Sequence, residues 1–324
     1  MAHHNFSPTH YHTTLGSHEP VLTIASGDTV STTTVCAGGI DKNGEQATEG
    51  GNPQTGPFYI EGAEPGDSIS VIFDHLMPNR PYGHTSARVA PNVLEPGYVP
   101  KFDDDIARVI WEIDFENRTA HPAEVSSDRS HVRLGQGTAT TSPLKDLVLP
   151  LNPHPGCFGV APPRGQAIST ATSSTHGGNM DYKRFNQGTT VYFPVFAAGA
   201  LFHIGDGHAL QGDGEIVGTG IEISFDVTFT VHLHKGKSIN WPRGENDTHV
   251  FTVGNARPLD QCVEHATTEM IRWLKTDFGL DERTVHVILG EAVEYDMGNM
   301  FDPAYTYVCK IPKQVLETIG ATRQ

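Results

Sequence analysis

Residues 221–233 alternate apolar and polar side chains without a break over thirteen positions. A period of two sorts side chains onto opposite faces of an extended strand, whereas a helix would scatter them around all sides. The run predicts a long antiparallel-type strand with Glu222, Ser224, Asp226, Thr228, Thr230 and His232 on one wet face. Segments 68–75 and 108–115 repeat the pattern, and 34 glycines and 22 prolines cut the chain into short pieces. Such punctuation favours many strands and turns over long helices.

Apart from these strands, residues 78–104 read as proline-rich and irregular. Residues 119–146 read as a polar surface excursion with at most one strand, Val132-Arg133-Leu134. An apolar strand then enters a rigid Pro/Gly corner that holds His154 and Cys157. Residues 191–204 are apolar enough for burial on both faces. Helical periodicity emerges only at 258–278, where Leu259, Val263, Ala266, Met270 and Leu274 share a face and Gly279 closes the segment. Strands are expected after it at 285–289 and 306–311. The fold class is therefore mainly β, with β-sandwich or barrel-type parts and a C-terminal α+β portion. Three parts are expected: a solvated N-terminal arm (1–19) carrying five histidines, a β-rich catalytic core (20–255), and an α+β portion (256–324) packed on the core.

A formal charge of −16 argues against nucleic acid or an anionic membrane as partner, because both would be repelled at long range. There is no apolar run of about 20 residues and no basic start followed by an apolar signal core, so a cytoplasmic protein is expected. Cys36, Cys157, Cys262 and Cys309 stand at long spacings with no Cys-x-x-Cys pair, which predicts reduced and mostly buried thiols.

Chemistry concentrates at residues 203–215, where His203, Asp206, His208, Asp213 and Glu215 sit among four glycines. Crowded carboxylates and imidazoles beside apolar sequence repel one another and lose hydration unless a cation, hydrogen bonds or open water offset the cost. Leu210 stands where a dinucleotide fingerprint needs its third glycine, no Gly-Lys-Ser/Thr follows, and the oxygen ligands of an EF-hand are missing. Asp206 and His208, two apart, would point to one side of an extended segment and chelate one ion. The competing reading is a tight glycine turn with locally capped carboxylates. A second cluster, His176-Gly177-Gly178-Asn179-Met180-Asp181, lies just upstream. If the two meet, His176, Asp181, Asp206, His208 and Glu215 would surround a hard or borderline cation. Cys157 is either a nucleophile, which requires a depressed pKa, or an apolar filler or pocket wall.

Three segments carry a resemblance: His154-Pro155-Gly156-Cys157-Phe158-Gly159-Val160-Ala161-Pro162, Gly177-Gly178-Asn179-Met180-Asp181, and Gly205 through Glu215. Together with Gly56-Pro57-Phe58-Tyr59-Ile60-Glu61-Gly62-Ala63-Glu64-Pro65-Gly66-Asp67 they resemble the acetamidase/formamidase family. The resemblance implies a mostly β fold, a homo-oligomer (dimer, trimer or higher) and hydrolysis of formamide, acetamide or another short amide to carboxylate and ammonia. For that reaction Asp181, Asp206 and His208, with His176 as a further ligand, would hold a divalent ion such as Zn or Ca. Glu215 would be the general base and Asn179 would hold the amide, while Cys157 remains a candidate for the thiol route. Phe158 and Phe202 would wall a tiny pocket. The alternatives are hydrolysis of another small C–N substrate such as a urea, and metal or small-solute binding without turnover.

Overall fold

The computed structural model describes residues 1–129, 133–141 and 143–323. Two open sheets make up most of it, one of nine strands and one of twelve. The mainly β expectation holds, and among the described residues the sheets pack as a sandwich in which neither closes into a barrel. Phe73 of the Ser68–Pro78 strand meets Phe158 of the opposite sheet with ring centroids 5.2 Å apart, and Phe202 meets Phe229 at 5.2 Å. Phe158 and Phe202 are thus core residues that fill the space between the sheets, and they do not wall a pocket. Each such aromatic removes a large apolar area from water, the main drive for holding two sheets together.

The thirteen-residue alternation is split between the sheets. Glu222–Ile223 pairs with Phe202–His208 in the twelve-stranded sheet, and Phe225–His234 pairs with Ser68–Pro78 in the nine-stranded one. The chain changes sheets at Ser224, which is fully buried and donates its hydroxyl to Asn79 Oδ1 at 2.6 Å. Only the second half has the wet face expected; Glu222 is 3% exposed. Residues 191–204 are divided in the same way, into Thr190–Pro194 and Phe202–His208.

Several irregular stretches turn out to be strands. The Pro/Gly corner contains the wholly buried His154–Gly159 strand. The surface excursion supplies Thr119–Ser126, which pairs with Arg108–Asp114; of the strand expected at 132–134, Val132 lies outside the described residues. The N-terminal arm is docked: His3–Asn5 pairs in parallel with Thr29–Thr33, and Phe6 packs on Phe58 at 5.6 Å.

In the C-terminal part the expected helix is present as Leu259–Thr276, burying Cys262, Ala266, Met270 and Trp273 against the nine-stranded sheet. Residues 285–289 belong to a second helix, Glu282–Ala292. Asp281 caps it by accepting from the Thr284 backbone N–H at 3.1 Å, and Val285, Ile288 and Leu289, at helical spacing, face the core. Glu294–Asn299 and Tyr305–Pro312 extend the nine-stranded sheet from its neighbour His249–Ala256, so hydrogen bonding continues across position 255. No described helix is long and apolar enough to cross a membrane.

Candidate active site

Phe202–His208 is the strand from which the site grows. His154–Gly159 runs antiparallel to it, with His154 opposite His208 and Phe158 opposite Ile204. Alternation puts Phe158 and Ile204 in the apolar core and carries Gly156, Asp206 and His208 along the same face to its polar end. A Cβ on Gly156 would collide with Asp181 Oδ1, Asp206 Oδ2 and His208 Cε1, so glycine keeps the space between these three side chains clear. Backbone strain gathers here too. Asp181, Asp206 and Glu215 have φ of 45°, 57° and 47°, a left-handed region that non-glycine residues rarely occupy.

His208 is oriented by two neighbours. Gly220 leaves room for the imidazole to lie flat against the backbone, and Gln211 Oε1 faces Nδ1 at 2.8 Å. Gln211 Nε2 donates to the carbonyls of Asp181 at 2.5 Å and Gly298 at 3.2 Å, which fixes the amide so that its oxygen accepts from His208 Nδ1. Nε2 is left facing carboxylates: Glu222 Oε1 at 3.0 Å, Asp206 Oδ1 at 3.4 Å and Glu215 Oε1 at 3.9 Å. A backing hydrogen bond that sets the tautomer is the usual arrangement around a metal-ligating histidine.

The charges do not balance on their own. Asp181, Asp206, Glu215 and Glu222 are each 5% exposed or less, and Asp302 stands half-buried beside them. Two unit charges 4 Å apart repel by roughly 4 kcal/mol at an effective dielectric of about 20, so four buried anions with one imidazole must bind protons or a cation. The pKa shifts express this. Burial, then the charges of Glu215, Asp302 and Asp206, push Asp181 well up, and burial does the same for Glu215. Burial also lifts Glu222 to about 7 despite the pull of His208. Burial pushes Asp206 up, but the charge and hydrogen bonding of His208, joined by hydrogen bonds with Glu222 and Asn52, hold it below its usual range, and His208 rises because Glu222 and Asp206 outweigh its own burial.

Four atoms of ligand type in this cluster are buried with no hydrogen-bond partner: Asp181 Oδ1, Asp206 Oδ1, His208 Nε2 and Glu222 Oε2. Two triads sharing His208, one with Asp181 and Glu215 and one with Asp206 and Glu222, have ligand atoms within 4.8 Å of one another. The remaining oxygens are held by amides. Asn299 Nδ2 donates to Asp181 Oδ2, to Glu215 Oε2 at 3.3 Å and to Asp302 Oδ2 at 2.6 Å, while Asn52 Nδ2 donates to Asp206 Oδ2 at 3.2 Å. Oriented carboxylates with one oxygen free, a tautomer-fixed imidazole and a hollow kept open by glycine fit a divalent cation.

A mouth of about 240 Å³ leads to the cluster, lined by Asn52, Asn179, Asp206, Glu215, Glu222 and Asp302 among others. Larger cavities exist elsewhere among the described residues, but none of them is lined by as many carboxylates. Asn179 donates to Asp302 Oδ2 at 2.5 Å and accepts from Asn52 at 2.7 Å.

The structure therefore brings together Asp181, Asp206, His208, Glu215 and Asn179. His176 is buried but joins neither triad; its ring nitrogens have no described partner and burial lowers its pKa to about 4. Cys157 is fully buried, its Sγ–H directed at the Thr170 carbonyl at 3.6 Å. Burial and the charges of Asp206, Asp181 and Asp302 push its pKa well up, so the thiol stays protonated, the opposite of what a nucleophile needs. Asp213 points outward to Lys183 at 2.9 Å. Glu222, Asp302, Asn52, Gln211 and Asn299 are additions that pattern reading missed. One signal was available: Gly298-Asn299-Met300 repeats Gly178-Asn179-Met180, and each precedes an aspartate of the site.

Known proteins resemble the chain in sequence and fold. A model of the acetamidase/formamidase family matches residues 163–318. The solved structure of an acetamidase from Yersinia enterocolitica superposes with a TM-score of 0.77 at 31% identity, covering 97% of this chain and 93% of that one. A predicted acetamidase/formamidase from Thermoanaerobacter tengcongensis gives 0.78 at 25% identity, with 99% of both chains covered. A putative formamidase of Schizosaccharomyces pombe is 27% identical over 214 residues, 56% of this chain and 51% of that protein. The chain thus spans about half the length of the curated relatives it matches.

Proposed function

The chain belongs to the acetamidase/formamidase family, and from that premise and the geometry of the site we propose that it hydrolyses short aliphatic amides to a carboxylate and ammonia. The observation that carries the reading is a pair of buried triads sharing His208, with four unpartnered ligand atoms among their side chains, beside a small mouth lined by Asp206, Glu215 and Glu222. Asp181, Asp206, His208 and Glu222 would hold a divalent cation, and three oxygens with one imidazole nitrogen suit a hard or borderline ion such as zinc. When bound, the ion would supply Lewis acidity, acidifying water and polarising a carbonyl oxygen.

The chain's own groups supply the rest. Glu215, which lines the mouth, takes a proton from the attacking water and returns it to the departing nitrogen. Asn179 keeps one amide hydrogen and one lone pair available after its contacts with Asp302 and Asn52, and with these it orients the substrate amide. Gln211 and Asn299 position His208 and the carboxylates. The mouth lies below the roughly 300–1,000 Å³ common for drug-sized ligands. Formamide has so few heavy atoms that even the best ligand efficiency limits binding to about −4.5 kcal/mol, which puts KM on the order of a millimolar or above. The reading extends to a cytoplasmic homo-oligomer.

Ammonia release from formamide, acetamide and propionamide, measured beside elemental analysis of the purified protein, tests the proposal. We expect turnover of at least one amide, stoichiometric divalent metal and loss of activity on chelation. Full turnover by metal-free protein would sink the cation, and silence toward every amide would sink the activity.

A further inference from the structure

Beside the acidic mouth lies a second cavity of about 570 Å³ with the opposite character. Arg88, Arg108 and Arg129 line it together with Phe102 and Phe301, and no aspartate or glutamate does. None of the three guanidiniums forms an ion pair with a carboxylate among the described residues. Arg108 donates from Nη1 to Ser86 Oγ at 2.6 Å and from Nη2 to the Arg129 carbonyl at 3.3 Å, and its Nε is buried with no partner. Burial lowers its pKa, Glu222 opposes that, and Arg129 adds to it. A desolvated guanidinium with an unsatisfied N–H and a like charge beside it is a built site for an anion.

The two cavities adjoin along one rim. Val217 and Phe301 face the arginines, while their chain neighbours Gly218 and Asp302 face the acidic mouth. A side chain on Gly218 would strike the Phe301 ring, so the two rims touch. Ser86 ties the cavities together: its hydroxyl accepts from Arg108, and its backbone N–H donates to Thr219 Oγ1 at 2.8 Å, a residue of the mouth.

Resting on the amidase reading, we propose that the arginine cavity is a subsite for a carboxylate at the far end of the substrate, so that the preferred substrate is an amide whose acyl chain ends in a carboxylate. The chain's net charge of −16 and the carboxylates of the mouth repel an anion elsewhere around the site. In the cavity, Arg108 and Arg88 donate to the carboxylate while Phe102 and Phe301 flank the apolar chain that links it to the amide. Hydrolysis is unchanged: water adds to the amide carbon, the C–N bond breaks, and a dicarboxylate and ammonia leave.

Ammonia release from malonamate, succinamate and glutaramate, each compared with the neutral alkyl amide of similar length, tests this on the full protein. In the wild type kcat/KM for at least one carboxylate-bearing amide should exceed its neutral match by about tenfold or more, the range expected when a site's polar groups find their partner. Arg108→Gln should cut that ratio about tenfold or more, chiefly through KM, and Arg88→Gln should cut it in the same direction should Arg108→Gln fail to fold. Equal ratios in the wild type, or a preference untouched by Arg88→Gln and by a folded Arg108→Gln, overturn the subsite while leaving hydrolysis of neutral amides in place. Silence toward every amide overturns both.

Discussion

The role proposed for Glu215 rests on a geometry that its backbone resists. It ends a short turn, Asp213–Glu215, at φ 47°, with Oε2 tied to Asn299 and Oε1 3.9 Å from His208 Nε2. Glu215→Gln keeps the shape and the Asn299 neighbour but removes the basic oxygen. We expect kcat to fall by about 10²–10⁴-fold, the typical contribution of a positioned proton carrier, with metal content unchanged by elemental analysis. Near-normal kcat in that variant would assign the proton transfer elsewhere, Glu222 first. Cys157→Ala should keep activity within about threefold, since the thiol is protonated and directed at a carbonyl; its abolition of turnover in folded, metal-loaded protein would restore the thiol route. Residue identity and spacing were enough to single out Asp181, Asp206, His208, Glu215 and Asn179, because dense polar side chains among glycines are costly without a purpose. They could not place His176, whose loop reaches the site through Asn179 and Asp181 while its own ring stays elsewhere.

At the scale of elements, period-two alternation identified strands but not the sheet each joins. Residues 221–233 read as one strand because burial of Glu222 and exposure of Asp226 leave the same polar mark in sequence. What separates them is the change of sheet at Ser224, a tertiary event with no local signature. The same blindness hid Asn299 and Asp302, which enter from the far C-terminus and make that part of the chain integral to the site. Residues 285–289 are a related case: a β-branched apolar run predicted a strand, but the Asp281 cap and burial of Val285, Ile288 and Leu289 at i, i+3 and i+4 select a helix. Asp281→Ala should lower stability by about 1 kcal/mol, the usual worth of an N-cap, read as a lower urea midpoint with unchanged m-value. An unshifted midpoint would mean that packing alone holds this helix.

Across the whole molecule, buried histidines contribute to how the fold responds to acid. His203 is fully buried, with Nε2 at 3.3 Å from the Gly16 carbonyl and Nδ1 unpartnered. The rings of His12 and His18, stacked on each other at 3.9 Å, meet it edge-on at 6.1 and 5.7 Å. Burial, then the neighbouring histidines against the pull of Gly16, lowers the His203 pKa to about 3; burial lowers His12 and His176 to about 4. These folded values lie below the 6.5 of an unfolded histidine, so the unfolded chain takes up protons that the native state refuses. The contribution of these histidines to stability is therefore full above about pH 6.5 and is lost as pH falls from there toward 4, by something on the order of 3 kcal/mol for one fully buried imidazole over two pH units. The cluster links the docked N-terminal arm to this response, because a proton on His12 would set a charge against the buried, neutral ring of His203. Urea midpoints measured between about pH 7 and pH 4.5 should fall steeply, and His203→Gln, which keeps a polar group near Gly16 but cannot titrate, should flatten the profile by close to one proton. A variant with lower stability but the same slope as the wild type would show that His203 packs the arm without governing its response to acid.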